Sequence, residues 1–283
     1  MKKLFKAAFA LIAVFITVIE TQAQVLESST PTNGLFADNG TIDKKPVPYP
    51  PLRQSDVLWR KTVWREIDFR QKINLPFYYP IEPHDNWKSF ITIIMDALKE
   101  GKITAYDPIQ IDELSVPLTY SDVISAQSDS TIQRLQRPEP PYEEYDTVIV
   151  SEFDNTKVMR LRLKEVWYFD KQLSQLHVRI IAFCPVYIKI KDGTPVTEPL
   201  FWIYFPESRP ILAKEQSYNP SNSARRRTYD EIFWKRMFSS YIYKVENVYD
   251  RRISEYATGV DALLESEKIK KEISDFEFEL WEY

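Results

Sequence analysis

Residues 147–205 carry the feature that most constrains the fold. Four segments rich in β-branched and aromatic residues follow one another there with short polar joins, and they read VIVSEF, KVMRLRLKEVWYF, LHVRIIAFCPVYIKI and PLFWIYF. Joins this short connect antiparallel neighbours, because parallel strands need a crossover of a dozen or more residues. Leu161 and Leu163 alternate with charged residues, which is typical of a strand with one wet face. The sequence therefore predicts an antiparallel β-meander.

Segments with helical periodicity lie on both sides of this region. The spacing of apolar residues predicts helices over about 55–69, 85–101, 228–242 and 260–276. Asp85 and Thr228 are the expected N-caps of the second and third helices, and Gly101 is placed to end the second in the left-handed conformation.

The remaining segments complete the predicted architecture. Residues 118–146 are polar and indicate an exposed connection, whereas the final FEFELWEY fits an extended segment better than a helix. We predict an α+β fold for residues 55–283, with a central antiparallel β-meander flanked by N-terminal and C-terminal helices, in a single domain.

The N-terminus has the pattern of a secretory signal peptide. Three lysines precede an apolar run from Ala7 to Ile19, and small residues stand before a cut after Ala23. We expect a mature chain that begins at Gln24 and lacks a cysteine there for lipid attachment. Loss of residues 1–23 removes three lysines and one glutamate, which changes the net charge from −4 to −6. A general nucleic-acid binder is expected to have a net positive charge instead.

Residues 24–54 are polar and then rich in proline, and we interpret them as an extended arm. Pro46, Pro48, Pro50 and Pro51 restrict the backbone to extended forms, and Tyr49 and Leu52 supply apolar anchors among them. Two arrangements are open: the arm docks on a partner through Tyr49 and Leu52, or it packs along its own domain.

The sequence contains no recognisable catalytic or ligand-binding motif. Its five glycines are too scattered to form a phosphate-binding loop, and no G-x-S-x-G elbow is present. His84 and His177 lie far apart without the spacing of a zinc site, and Cys184 stands alone in an apolar run that indicates packing. We predict no catalytic residues, no cofactor and no metal site.

Arg225, Arg226 and Arg227 form a basic triplet directly before the helix predicted at Thr228. The partial positive charge of a helix N-terminus disfavours cations, so the triplet does not help its own helix. It is either a solvated loop or a docking surface for an acidic partner, and nucleic acid fits least with an exported acidic chain.

The chain resembles the GldN/PorN family of the type IX secretion and gliding-motility machinery of Bacteroidetes. The resemblance is carried by EIDFRQKINLPFYYP, by EPLFWIYFPESRPIL and by the stretch from ARRRTYDEIFWKRMFSSYIYKVEN to the end of the chain. The late pattern comprises Arg236, Phe238, Ile242, Lys244, Asn247, Arg252, Ile253, Tyr256, Gly259, Ala262, Leu263 and Trp281.

The resemblance implies a periplasmic, non-enzymatic structural subunit. Members of the family associate with an outer-membrane lipoprotein, GldK/PorK-like, to build a large ring, and they contact the periplasmic part of an inner-membrane motor protein, GldM/PorM-like. The candidate partner contacts are Tyr49, Leu52, Arg225, Arg226, Arg227, Trp281 and Tyr283. The alternative is a periplasmic glycan-binding module or cell-wall hydrolase, which the many aromatic residues and the carboxylate pairs Glu143/Glu144 and Glu277/Glu279 would serve.

Overall fold

A large antiparallel sheet organises the chain in the computed structural model, which describes residues 43–84, 87–109, 114–127, 130–136, 144–150, 153–191, 194–219, 222 and 226–279. Twelve strands occur within these residues: β1 (Val57–Asp68), β2 (Ala105–Tyr106), β3 (Pro117–Leu118), β4 (Ser130–Gln136), β5 (Glu144–Val150), β6 (Val158–Asp170), β7 (Gln175–Lys191), β8 (Thr194–Pro199), β9 (Trp202–Tyr204), β10 (Gln216–Ser217), β11 (Arg227–Thr228) and β12 (Tyr241–Val245).

Six α-helices accompany the strands in the same described ranges. They are α1 (Leu75–Tyr78), α2 (Phe90–Lys99), α3 (Tyr120–Gln127), α4 (Phe205–Leu212), α5 (Tyr229–Trp234) and α6 (Val260–Glu279). The main sheet has the order β12-β1-β6-β7-β9-β2-β3, with β8 paired to β7. Two small sheets, β4–β5 and β10–β11, complete an α+β fold, which confirms the predicted class.

One face of the main sheet carries an aromatic core under the helices. Phe90, the first residue of α2, lies 5.5–5.6 Å from four other ring centroids, those of Phe77, Phe183, Tyr229 and Phe233. The Tyr229 hydroxyl lies 3.0 Å from the Pro76 carbonyl oxygen and 2.9 Å from that of Lys88, and burial raises the pKa of this tyrosine. Tyr229 and Phe233, which follow the arginine triplet, therefore belong to the core.

Helix α6 covers a second part of the sheet. Ile269 and Ile273 are buried against Val63 of β1 and against Ile242 and Val245 of β12. A smaller cluster, which includes Trp64, Cys184 and Trp202, is also buried. Cys184 is thus a packed residue, as predicted.

The helix predicted over residues 55–69 is wrong, because Val57–Asp68 forms strand β1. β1 pairs with β6 along almost its whole length and with β12 over residues 63–66. Val63 and Trp64 are both buried but belong to different clusters, so the strand has apolar residues on both faces. Because both faces are buried, the strand lacks the alternation of apolar and polar residues that marks a half-exposed strand. Its apolar residues instead recur at a spacing that resembles that of a helix.

The helix predicted over residues 228–242 is less than half as long in the structure, where it has 6 residues. Thr228 is the N-cap, as predicted, since its hydroxyl accepts a hydrogen bond from the amide of Glu231. The helix ends at Trp234, Arg236 takes a positive φ of 51°, and Tyr241–Val245 forms edge strand β12. The apolar residues after Trp234 serve a strand and a turn rather than further helical turns.

Four smaller expectations are also corrected. α2 begins after the N-cap Ser89 rather than near Asp85, although Gly101 has the predicted positive φ of 68°. Residues 118–146 contain α3 and β4 instead of only a connection, and β5 pairs with β4 outside the meander. Phe276–Glu279 continues α6, so this part of FEFELWEY is helical.

Asn74 joins distant parts of the chain, so its loss should destabilise the fold. Its fully buried amide donates to the carbonyl oxygens of Asp68 (2.8 Å) and Ser239 (2.9 Å) and accepts from the Ser239 amide at 2.9 Å. Asn74→Ala should lower the free energy of unfolding by about 2–4 kcal/mol, since it leaves backbone groups unpaired. Urea denaturation measures this.

The matched control is Asn155→Ala. The Asn155 amide donates one bond to the Thr92 hydroxyl, at 3.2 Å, so its loss should cost below about 1 kcal/mol. Equal effects of the two substitutions would contradict the role assigned to Asn74.

Candidate functional site

A buried carboxylate, Glu165 of β6, lies at the centre of a charged site. Its side chain has no exposed surface, and Arg236 donates to both oxygens from Nη1 (2.9 Å) and Nη2 (3.1 Å). Trp167 Nε1 donates to Oε2 at 3.2 Å. Arg65 Nε lies 3.2 Å from Oε2 as an ion pair without hydrogen-bond geometry. One carboxylate therefore faces two guanidinium groups.

The sequence brings Arg236 to this place through a left-handed turn. The residue follows the C-cap of α5, Lys235, and its φ of 51° turns the chain towards β12. This conformation costs a non-glycine residue about 1–2 kcal/mol. The bidentate bond to Glu165 offsets that cost, because a charge-assisted pair is stronger than a neutral hydrogen bond.

The two arginines form the floor of a pocket of about 490 Å³, which we call the arginine pocket. Trp167 completes the floor, and the side chains of Leu176, Phe238 and Ile273 contribute apolar walls. Lys270, Ser274 and Glu277 of α6 and the serines at 239 and 240 also line it. The Arg65 side chain is only 7% exposed, and burial lowers its pKa, with a further contribution from Arg236 that Glu165 opposes.

A second buried carboxylate, Glu66, directly follows Arg65 on β1. Arg160 Nη1 and Arg162 Nε donate to it at 3.0 and 3.1 Å, and the Tyr241 hydroxyl also donates to it. Burial and the hydrogen bond to Glu66 both raise the pKa of Tyr241. The Arg160 side chain is 28% exposed, so water solvates part of the excess positive charge here.

The described part of the predicted arm, residues 43–54, packs along its own domain. Lys44 Nζ donates to Glu231 at 2.6 Å, and Arg179 Nη2 donates to the Pro50 carbonyl oxygen at 2.6 Å. The Tyr49 ring lies 5.5 Å from the Trp234 ring, and the Arg209 guanidinium lies 4.5 Å from its centroid. Burial raises the pKa of Tyr49. Residues 24–42 lie outside the described ranges.

Leu52 lines an apolar groove of about 400 Å³, which Leu58, Val166 and Ile181 also line. Leu58 is 63% exposed there. The groove suits the predicted contact of Leu52 with a partner, while Tyr49 is already in contact with its own domain. Partner binding by these two residues stays a prediction.

Three of the other predicted contacts lie outside the described ranges, namely Arg225, Trp281 and Tyr283. Arg226 is half-buried. Arg227 lies in β11, opposite Ser217, and its Nη2 donates to the Tyr218 carbonyl oxygen at 2.8 Å. Arg227 therefore has a structural bond, and the structure does not bring it together with Tyr49 or Leu52 through any described contact.

Sequence reasoning missed an exposed apolar surface around the start of α6. This C-terminal patch comprises Val248, Tyr249, Tyr256, Val260, Leu263 and Leu264, which are all at least 49% exposed. The Arg251 guanidinium lies 4.5 Å from the Tyr249 ring centroid and 5.6 Å from that of Tyr256. Tyr256 and Leu263 occur in the pattern that carries the family resemblance, which was the available signal.

Two further kinds of feature are absent from the part of the chain that the structure describes. No group of three or more His, Cys, Asp or Glu side chains there could hold a metal ion. No helix among the described residues combines the length and the apolar character needed to span a membrane.

The fold and these surfaces define an α+β protein with an exposed apolar patch of the kind found at protein–protein interfaces. The family model for the gliding motility associated protein GldN matches residues 52–282. The chain therefore belongs to the GldN family of gliding-motility proteins, as its resemblance indicated. No curated protein matches the sequence of this chain.

Substitution of Tyr49 tests whether the arm contributes to the stability of the domain. Tyr49→Ala should lower the free energy of unfolding by about 1–3 kcal/mol, because the ring loses its contacts with Trp234 and two guanidinium groups. Chemical denaturation followed by circular dichroism gives this value.

Tyr249→Ala is the matched control, since Tyr249 is 74% exposed and should change stability by no more than about 0.5 kcal/mol. A Tyr49→Ala protein as stable as this control would show that the arm packs without stabilising the domain.

Proposed function

We propose that this protein is a non-enzymatic structural subunit of the type IX secretion and gliding-motility machinery. It assembles with an outer-membrane lipoprotein, GldK/PorK-like, into a periplasmic ring and contacts the periplasmic part of an inner-membrane motor protein, GldM/PorM-like. The observation that carries the proposal is the family match over residues 52–282, which includes almost all of the described fold.

The surfaces of the fold support an assembly role. A subunit of a closed ring presents two different surfaces to its neighbours, and it needs a further surface for each additional partner. The C-terminal patch and the groove at Leu52 are two candidate surfaces with no residue in common. Exposed apolar residues of this number favour burial in an assembly over permanent exposure to water.

The predicted export signal supports a periplasmic location. Position 24, where the mature chain is expected to begin, is a glutamine, and a lipid is attached only to a cysteine at that position. A lipidated partner would then hold the subunit at the outer membrane.

The carboxylate pairs give little support to a glycan hydrolase. Glu277 and Glu279 lie two residues apart on α6 and therefore point in nearly opposite directions around the helix, whereas paired catalytic carboxylates must flank one bond. Glu144 begins β5, and Glu143 lies outside the described residues.

Co-purification from envelope extracts tests the proposal through the C-terminal patch. A tagged chain should retain the lipoprotein, and the double substitution Tyr249→Ser with Leu264→Ser should reduce the retained amount by at least about tenfold, since interface anchors of this type contribute more than about 1 kcal/mol each. Circular dichroism should show an unchanged fold, because both side chains are exposed.

The control carries Lys271→Ser and Glu272→Ser, two exposed charged positions on the same helix. It should retain the lipoprotein at the normal level. Absence of the lipoprotein from all preparations, together with retention of the isolated protein on peptidoglycan, would instead support the glycan-binding alternative.

A further inference from the structure

The arginine pocket contains a buried cation, Arg65, whose carboxylate partner also pairs with a second guanidinium. Glu165 is saturated by the bidentate bond from Arg236 and the indole N–H of Trp167. Arg65 shares this single carboxylate, yet its side chain is only 7% exposed. Two guanidinium groups that share one buried carboxylate are incompletely neutralised, which is costly inside a protein, so the site favours an additional anion.

Hydrogen-bond donors are available to receive that anion. A guanidinium has five N–H donors, and Arg65 uses one of them to donate from Nη1 to the Ser240 hydroxyl at 3.1 Å. Ser239, Ser240 and Ser274 line the same space, and each carries a hydroxyl that can donate. The pocket lining therefore includes several groups able to donate hydrogen bonds to an anion.

The charge balance and the walls define the chemistry of the ligand. Around the buried Glu165, two guanidinium groups face one carboxylate, which leaves a local excess of one positive charge. On α6, the exposed Lys270 pairs with the exposed Glu267 at 3.4 Å, and Glu277 also lines the pocket, but water screens these exposed charges more than it screens the buried ones. An excess of one charge matches a monoanion better than a phosphate dianion. Leu176, Phe238 and Ile273 provide apolar contacts for the group that carries the charge.

We propose that the arginine pocket binds a carboxylate on an apolar stem, with Arg65 as its main charge partner. A glutamate side chain and the terminal carboxylate of a polypeptide both have this chemistry, and a volume of about 490 Å³ accommodates either. The inference does not depend on the proposed function, because it concerns a pocket within one chain.

Titration of the mature protein with butyrate tests the proposal. The reporter is the indole N–H resonance of Trp167, which is hydrogen-bonded to Glu165 at the pocket floor and is assigned with Trp167→Phe. Butyrate should shift this resonance saturably with a dissociation constant on the order of millimolar, as expected for a small single-charge ligand. Butyramide, which has the same shape without the charge, should not shift the resonance saturably. Chloride at equal ionic strength should not shift it saturably either.

Arg65→Met should weaken butyrate binding by at least about tenfold, because it removes the charge partner and keeps an apolar stem. Glu165 keeps Arg236 and Trp167 in this variant, so the fold should persist, as near-ultraviolet circular dichroism can verify. The control is Lys268→Met, an exposed cation on α6, 65% exposed, which should bind butyrate normally.

Two peptides then distinguish the source of the carboxylate. One is blocked at both ends and has a single glutamate, and the other ends in leucine with a free carboxylate. A saturable Trp167 shift with either peptide supports the proposal and identifies the form that the pocket prefers. Failure of butyrate and both peptides to produce a saturable shift, or equal binding by the Arg65→Met and wild-type proteins, would overturn it.

Discussion

The negative charge of Glu165 determines how the C-terminal part of the chain meets the sheet. A carboxylate without exposed surface in the middle of a sheet must be neutralised, and a left-handed turn brings Arg236 to it from 71 residues further along the chain. That turn ends α5 and leads into β12, the edge strand on which α6 packs through Ile269 and Ile273. The ionic centre and the position of the C-terminal helix are therefore connected.

The same arrangement produces the surfaces that a partner could use. Packing of α6 on β12 leaves Leu263 and Leu264 exposed, because the opposite side of the helix is buried in the sheet. It also encloses the arginine pocket between the helix and the sheet. Elsewhere in the domain, the Tyr49 ring packs against Arg209 and Trp234. Family membership and these surfaces together favour a subunit that functions through contacts.

Sequence patterns predicted the α+β class, strands β6 and β7, and helix α6. The two strands are long and rich in β-branched and aromatic residues, and the helix has apolar residues at helical spacing. Sequence patterns did not identify β1, whose two buried faces conceal the alternation, or β12, which is a short strand after a turn. The Glu165–Arg236 pair could not be predicted, since a local pattern contains no information on which distant charges meet. For the same reason, the docking of Tyr49 on Arg209 required the structure.

We propose that this member of the GldN family is a building unit of an envelope assembly. The critical experiment is electron microscopy of the complex co-purified with its lipoprotein. We expect closed rings of repeated subunits in which the C-terminal patch is covered by a neighbouring protein. Particles containing one copy of each protein, with the patch exposed to solvent, would show that the protein does not build a ring.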